Sequence, residues 1–178
     1  MKKALVVNFF GAPGSGKSSL TGGLFYDLKT NHHINCEMAR EIAKQKVWSG
    51  QHSALLDQDY ITALQRREID MVVNQVDVVI CDSPLLLGSI YAPDSYPSCF
   101  HEFTHWTYDQ YWNLNILVNR TKPYDPRGRN QNEQQSLELH IKIKNLLDTN
   151  NIKYYETTSN GLENVSQLVR KTLDEKSN

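Results

Sequence analysis

The sequence has neither an excess of charge of one sign nor a long hydrophobic run. Its 19 Lys and Arg and 20 Asp and Glu give a formal net charge of −1 at pH 7. The chain as a whole therefore has no general attraction to nucleic acid. No apolar stretch approaches the roughly 20 residues that are needed to span a bilayer. We expect a cytoplasmic protein that has no membrane partner.

Cysteine is scarce as well. The chain has 3 cysteines, Cys36, Cys81 and Cys99, which are widely spaced and form no C-x-x-C pair. An odd number at this spacing does not indicate a disulfide framework. Cys36 and Cys81 lie in apolar runs, which predicts buried free thiols in a reducing compartment.

Five short apolar runs alternate with longer segments along the 178 residues, a length that suits one domain. Most of the runs are continuous rather than alternating, as in parallel strands that are covered on both faces. We therefore predict a doubly wound α/β fold. The predicted strands are Ala4–Phe10, Ile34–Met38, Val76–Cys81, Leu114–Val118 and Ile152–Tyr155.

The segments between these runs have mostly helical periodicity. Gly161–Asp174 has one apolar face, and Ser53–Asn74 is a long, charge-rich helix candidate. Leu137–Leu147 fits both strand alternation and a helix, and the alternation of strands with helices favours the helix. Tyr91–Tyr111 is rich in proline and aromatic residues, which predicts an irregular or helical insertion over the site.

The most informative segment follows the first apolar run directly. Residues 11–18 match the phosphate-binding pattern G-x-x-x-x-G-K-[ST] at every fixed position, and the helix-like Ser19–Lys29 comes next. Such a loop turns its backbone N–H groups around a polyphosphate, and the following helix adds its positive end. Lys17 would reach the β and γ phosphates, and the Ser18 hydroxyl would ligate Mg²⁺. The predicted ATP-binding residues are Gly11, Ala12, Pro13, Gly14, Ser15, Gly16, Lys17, Ser18, Ser19 and Arg120.

An acidic residue ends the third predicted strand. Asp82 follows Val76–Cys81 and precedes Ser83-Pro84. A carboxylate at this strand end lies beside the phosphate loop and can hold the metal or its water. Asp82 or Ser83 before a proline is also a good helix N-cap, and both roles can hold at once.

Charged residues also follow the second predicted strand. Ligands of open parallel sheets bind beyond the carboxyl ends of the strands. Glu37 is therefore predicted to take the proton of an acceptor hydroxyl, and Arg40 to hold a phosphate or the acceptor. Glu41 is the alternative base. Glu37 as a helix-start acid, with Arg40 as a surface charge, is the structural alternative.

The fourth strand is followed by a loop that is unusually rich in arginine. Arg120 opens it, and Arg127-Gly128-Arg129 follow two prolines. A mobile flap of this kind would close over the triphosphate and neutralise charge in the transition state. The alternative is an ordinary solvated loop.

Residues His101-Glu102-Phe103-Thr104-His105 match the zinc pattern H-E-x-x-H. The extended form of the pattern needs Gly at 108 and His at 111, and both positions are tyrosine. We therefore favour packing or a base-stacking wall for the aromatic residues of 106–112.

Together, residues 11–18, Asp82-Ser83-Pro84 and Arg127-Gly128-Arg129 resemble the motifs of small P-loop kinases. The chain is most similar to the group of AAA-type P-loop proteins that includes the nicotinamide riboside kinase domain. The resemblance implies a three-layer P-loop NTPase fold with a five-stranded parallel sheet, a mobile lid, and phosphoryl transfer from ATP with Mg²⁺. It also implies a single P-loop kinase domain over residues 1–178, with lid or insertion segments near 91–112 and 120–131.

The resemblance also assigns roles by position. Arg40-Glu41 matches an arginine–acid pair after the second strand of that group, and Asp57-Gln58-Asp59-Tyr60 resembles the helix with which deoxynucleoside kinases hold a base. The predicted catalytic residues are Lys17, Glu37, Arg40, Asp82, Arg127 and Arg129, and the metal ligands are Ser18 and Asp82. The predicted substrate-binding residues are Glu37, Arg40, Glu41, Gln58, Tyr60 and Arg66.

We therefore expect phosphoryl transfer from ATP to a hydroxyl or phosphate of a small nucleoside, nucleotide or related ribosyl compound. A GTPase is not expected, because Asn119-Arg120-Thr121-Lys122 differs from N-K-x-D at its second and fourth positions. A polynucleotide kinase is an alternative, in which Arg66, Arg67 and the aromatic residues of 106–112 would line a nucleic-acid channel. A regulatory ATPase switch without an acceptor is another. The oligomeric state, a homodimer included, is left open.

Overall fold

The computed structural model describes residues 4–125 and 132–177. Its centre is a five-stranded sheet in the order β2-β3-β1-β4-β5, in which all neighbouring strands are parallel. The strands are β1 Leu5–Phe10, β2 Cys36–Ala39, β3 Val78–Cys81, β4 Trp112–Asn119 and β5 Tyr155–Thr158. The helices are α1 Lys17–Thr30, α2 Ile42–Trp48, α3 Gln58–Asp70, α4 Leu87–Tyr91, α5 Ser98–Tyr108, α6 Glu133–Thr149 and α7 Leu162–Ser177.

Helices cover both faces of the sheet, as the packing of the central strand β1 shows. All six residues of β1 are buried. Leu5, Val7 and Phe9 pack in one cluster with apolar residues of α1 and α7. Val6 packs on the opposite face with a residue of α3, and Phe10 with residues of α6. A strand covered on both faces is continuously apolar, so the predicted doubly wound α/β fold is confirmed.

Four of the five strands overlap well with the predicted runs, and β5 is displaced. The run Ile152–Tyr155 predicted a strand, but β5 spans Tyr155–Thr158. Ile152 and Tyr154 pack against the cluster around Phe10 ahead of the strand. Hydrophobicity there marks tertiary packing rather than strand pairing.

The helix predictions hold with one break. The ambiguous Leu137–Leu147 lies within α6, whose buried residues Ile143 and Leu147 are one helical turn apart. The predicted helix Ser53–Asn74 is divided at Asp57, whose ψ of 77° is not helical. A 3₁₀ turn over His52–Leu56 precedes this break, and α3 follows it. Within the described ranges, no helix is both long and apolar enough to cross a membrane.

Candidate active site

The phosphate loop joins β1 to α1 and packs tightly on its neighbours. A Cβ atom at Gly11 would come within 2.8 Å of the carbonyl oxygen of Val118 in β4. A Cβ atom at Gly16, where φ is 93°, would come within 2.5 Å of the Ser159 Cβ. Only glycine suits both positions, because a side chain at either would push the loop off the sheet edge.

A serine of α6 holds the loop from outside the motif. The Ser136 hydroxyl donates to the Pro13 carbonyl at 2.8 Å, and Ser136 is 2% exposed. It lies in the first turn of α6, behind the capping box formed by Asn132 and Gln135. Sequence reasoning missed Ser136, because no local pattern relates it to a loop 123 residues earlier.

Ser18 and Asp82 meet at the loop. The Ser18 hydroxyl donates to Asp82 Oδ2 at 2.7 Å. Asp82 is 8% exposed, and its Oδ1 is buried without a hydrogen-bond partner among the described residues. The two residues are brought together because β3 lies next to β1 in the sheet. A hydroxyl and a carboxylate with a free oxygen are the hard donors that suit Mg²⁺. The Lys17 ammonium donates to the Gly11 carbonyl at 2.7 Å.

A cavity of about 570 Å³ extends from the loop to the space between α2, α3 and α4. Among the described residues, its charged lining consists of Lys17, Glu41, Lys44 and Asp82, and no arginine lines it. The rest of the wall is mostly apolar and aromatic, with a row of polar side chains from α3. The aromatic members are Trp48 and Tyr91, and the polar α3 members are Gln58, Thr62 and Gln65.

The structure places Glu41, and not Glu37, in this cavity. The Glu37 carboxylate lies 2.8 Å from the Lys29 ammonium and is 45% exposed. Strand β2 continues to Ala39, so Glu37 lies inside the strand and Glu41 is the acid beyond its end. The prediction of Glu37 as the base rested on its place near the end of the predicted strand Ile34–Met38, whereas the observed strand ends one residue later, at Ala39.

Glu41 is also the acid whose environment is unusual. Burial raises the pKa of its carboxyl group, and the nearby Asp82 raises it further, while Lys17 and Lys44 act in the opposite direction. Arg40 is exposed and, with Glu37, lines a second cavity of about 890 Å³, which adjoins the first and shares Ser18, Glu41 and Asp82 with it.

Of the three residues predicted on the third helix, one reaches the cavity. Gln58 is 5% exposed and lines it. Tyr60 faces away, and its ring lies under the Lys46 ammonium. Arg66 pairs with Asp70 at 3.3 Å and lies over the Trp106 ring. Tyr60 and Arg66 do not line this cavity, and their predicted substrate contacts stay predictions.

The arginines after β4 are described only in part. The Arg120 Nη2 lies 3.0 Å from the Glu133 carboxylate, and its Nη1 is buried without a hydrogen-bond partner among the described residues. It lies at the carboxyl end of β4, beside β1 and the loop. Arg127 and Arg129 lie outside the described residues, so the predicted flap stays a prediction.

The segment 91–112 does not form a wall over the cavity. Within the described part of the chain, Tyr91 is its one residue that lines the cavity. Tyr108 and Tyr111 are buried and donate to Asn115 and Asp70. The described residues include no cluster of metal-ligating side chains, at His101 and His105 or elsewhere. Tyr108 and Tyr111 therefore agree with packing, whereas Trp106 is 53% exposed and has Arg66 over its ring.

A family model described as an AAA domain matches residues 6–164, which include the phosphate loop, Asp82 and all five strands. The chain belongs to this family. The predicted resemblance to AAA-type P-loop proteins is thereby confirmed.

Solved structures similar to this AAA domain include two of NadR protein. One, in complex with NR, has a TM-score of 0.68 at 17% identity over 86% of this chain and 45% of that chain. The other, in complex with NAD and AMP-PNP, has a TM-score of 0.64 at 16% identity over 96% of this chain and 48% of that chain. This AAA domain thus spans less than half the length of either NadR chain, and the likeness shows a shared P-loop fold. A comparison with curated proteins finds no match.

Proposed function

We propose that this AAA domain transfers the γ-phosphoryl group of ATP to a hydroxyl group of a small nucleoside-like acceptor. The observation that carries the proposal is the continuous cavity that begins at Lys17 and Ser18 and extends to α3 and α4. A nucleotide switch needs no site for a phosphoryl acceptor. A kinase also needs a second site, open to the loop, in which an acceptor is held in line with the γ phosphate.

At the nucleotide end, each residue has a distinct task. The loop amides and the α1 N-terminus would bind the phosphates, and Lys17 would move from the Gly11 carbonyl to the β and γ phosphates. Ser18 and Asp82 would hold Mg²⁺, since the hydroxyl and the free carboxylate oxygen fit that ion. The ion would supply positive charge beside the β and γ phosphates.

At the acceptor end, the lining suits a nucleoside-like compound. Trp48 and Tyr91 offer flat surfaces for a ring, and the polar α3 residues offer hydrogen bonds. The similar NadR structures, one in complex with NR and the other in complex with NAD and AMP-PNP, are consistent with a nucleoside-like acceptor and an ATP site.

Glu41 would take the proton. It lies at the start of α2 in the wall of the cavity, near Asp82 and Lys17. As the acceptor oxygen attacks the γ phosphorus and ADP leaves, the hydroxyl proton passes to the Glu41 carboxylate. The raised pKa of Glu41 makes it a stronger base than an exposed glutamate.

A coupled assay of ADP release with Mg²⁺ and ATP tests the proposal, with adenosine, guanosine, cytidine, uridine and nicotinamide riboside as acceptors. We expect Glu41→Gln to lower phosphoryl transfer by roughly 10²–10⁴-fold while AMP-PNP still binds. Glu37→Gln is the matched control and should retain activity, because Glu37 pairs with Lys29 outside the cavity. Lys17→Ala should lower transfer by about 10²-fold or more.

Other outcomes point elsewhere. Loss of transfer in Glu37→Gln with full activity in Glu41→Gln would return the role of base to Glu37. Phosphorylation of a 5′-hydroxyl oligonucleotide, with no nucleoside turned over, would favour a polynucleotide kinase. ATP hydrolysis without any phosphorylated acceptor would favour a regulatory ATPase.

A further inference from the structure

Two cavities meet beside the phosphate loop. The first extends from the loop to α3 and α4, and the second is lined mostly by residues of α1, β2 and α2. The residues that line both cavities are Ser18, Glu41, Lys44, Trp48 and Asp82. In the proposed reaction Ser18 and Asp82 would hold Mg²⁺, and Glu41 would take the proton. This shared wall is therefore where the phosphoryl group would pass from ATP to the acceptor.

Lys44 supplies the positive charge of the shared wall. It is the third residue of α2, about one helical turn after Glu41, and among the described residues it is the one cation that lines both cavities. Lys44 is exposed, and its ammonium forms no hydrogen bond or ion pair within the described part of the chain. Lys46 on the same helix differs, because its ammonium donates to the Gln51 side chain and to the Tyr60 hydroxyl oxygen. The Lys44 ammonium is therefore available to a ligand.

The charges around Lys44 show what kind of ligand needs it. Burial and the nearby Asp82 raise the pKa of Glu41, while Lys17 and Lys44 lower it, so both carboxylates and both ammonium groups act on one small region. A phosphoryl group in transfer would bring further negative charge beside the two carboxylates. Mg²⁺ and Lys17 would offset that charge on the side of the nucleotide. On the side of α2, Lys44 is the group placed to do so.

We infer that the Lys44 ammonium binds the γ-phosphoryl group of ATP from the side of α2 and stabilises it during transfer. The inference rests on the proposed function. In that reaction the bond from the γ phosphorus to the bridging oxygen breaks as the bond to the acceptor oxygen forms, ADP leaves, and the hydroxyl proton passes to Glu41. Lys44 stays protonated and donates hydrogen bonds to the oxygens of the moving group. Its flexible four-carbon side chain allows the ammonium to follow that group.

Binding of ADP and AMP-PNP tests the contact without an acceptor. The two ligands differ at the γ position, so the ratio of the Kd for ADP to the Kd for AMP-PNP measures contacts with that group. Lys44→Met removes the charge and keeps an apolar side chain of similar length. By titration calorimetry with Mg²⁺, we expect this ratio to fall about 3- to 10-fold in Lys44→Met, with the Kd for ADP unchanged. Lys44→Arg keeps the charge and should retain a higher ratio than Lys44→Met.

Turnover tests the role in transfer. With adenosine, guanosine, cytidine, uridine and nicotinamide riboside as acceptors, we expect Lys44→Met to lower kcat about 10- to 100-fold. The KM for the acceptor should stay nearly unchanged, because the lost contact is with the phosphoryl group and not with the acceptor. The Tm without ligands should equal that of the wild type, since Lys44 is exposed.

Lys46→Met is the matched control. Lys46 is a lysine of the same helix, two residues after Lys44, and it lines neither cavity. Its ammonium is bonded to Gln51 and Tyr60 instead. This variant should equal the wild type both in the ratio of the two Kd values and in kcat.

The outcomes separate the two proposals. An unchanged ratio of Kd values in Lys44→Met would show that the ammonium does not contact the γ-phosphoryl group, even if kcat falls, and would overturn the inference while the kinase stands. A higher KM for the acceptor with an unchanged kcat would make Lys44 an acceptor contact and would overturn it too. If the ratio falls as expected but the wild type phosphorylates no acceptor, the contact with ATP stands and the proposed function fails.

Discussion

Ser136 lies outside the loop motif and forms a hydrogen bond to the loop backbone. Its hydroxyl fixes the Pro13 carbonyl on the outer side of the loop, and the loop amides on the inner side are the groups that bind phosphate. Losing this bond frees the loop to leave its binding conformation. We expect Ser136→Ala to raise the Kd for AMP-PNP with Mg²⁺ about 3- to 10-fold, measured by titration calorimetry.

The control for this prediction is Ser166→Ala. Ser166 is also a buried helical serine, but it donates to Asp27 rather than to the loop. Ser166→Ala should lower the Tm and leave the Kd for AMP-PNP unchanged. Ser136→Thr keeps a hydroxyl and should bind more tightly than Ser136→Ala. An unchanged Kd in Ser136→Ala would show that the loop holds its conformation without α6.

The site residues that were predicted well are those whose position follows from the chain immediately around them. Ser18 and Asp82 each directly follow a recognisable local pattern, and the structure brings them to 2.7 Å. Glu37 was chosen because the end of β2 was set at Met38, one residue early, whereas Glu41 is the acid that lies beyond the observed end at Ala39. On an edge strand of four residues, that error selects a different carboxylate.

Among the elements, α1 and α7 are joined by a partly buried carboxylate. Asp27 accepts from the Ser166 hydroxyl and lies 3.4 Å from His32 Nε2. The Ser166 bond lowers the pKa of Asp27 below its ordinary value, with burial opposing it and Asn31, His32 and Arg170 adding to it. A carboxyl group whose pKa is lower in the folded state stabilises the fold above its unfolded pKa. That stability is lost as the pH falls through the folded pKa.

We therefore expect Asp27→Asn to be less stable than wild type at pH 7, with a difference that shrinks as the pH falls toward about 3. Urea unfolding across this range measures the free energy of unfolding of both proteins. Asp94→Asn, at an exposed position, should show no such pH-dependent difference. A difference for Asp27→Asn that stays constant with pH would mean that the side chain contributes shape and not charge.

The limits of element prediction show in two segments. The periodicity of Leu137–Leu147 fitted a strand and a helix equally, and the fold context decided correctly for a helix. The periodicity of Ser53–Asn74 continued through Asp57, although the backbone turns there. The pattern of apolar side chains indicates which face of a segment is buried. It does not indicate whether that face belongs to one continuous helix or to two.

At the scale of the whole molecule, the three cysteines differ in how deeply they are buried. Cys36 and Cys81 are buried free thiols, as predicted, and Cys99 is exposed. Burial raises the pKa of Cys36 to about 11 and that of Cys81 to about 12. Since the thiolate is the reactive form, we expect Ellman's reagent at pH 7 to modify Cys99 rapidly. Cys36 and Cys81 should react only as the chain unfolds.

Counting thiols before and after adding guanidinium chloride checks this prediction. Cys99→Ser should abolish the fast phase and leave the slow one. Two fast thiols in the native wild type would show that the core around β2 or the end of β3 opens far more readily than its packing indicates.

The sequence alone determined the sheet, the phosphate loop and its Ser18–Asp82 pair, because each depends on a local pattern: apolar runs, glycine spacing and the residue after a strand. Tertiary structure alone decided the rest of the site. Glu41 lines the cavity because β2 ends at Ala39, and Ser136 reaches the phosphate loop through a contact across 123 residues. Such contacts depend on how helices settle on the sheet, and the free energy of that packing is shared among many side chains. No short stretch of sequence therefore encodes them.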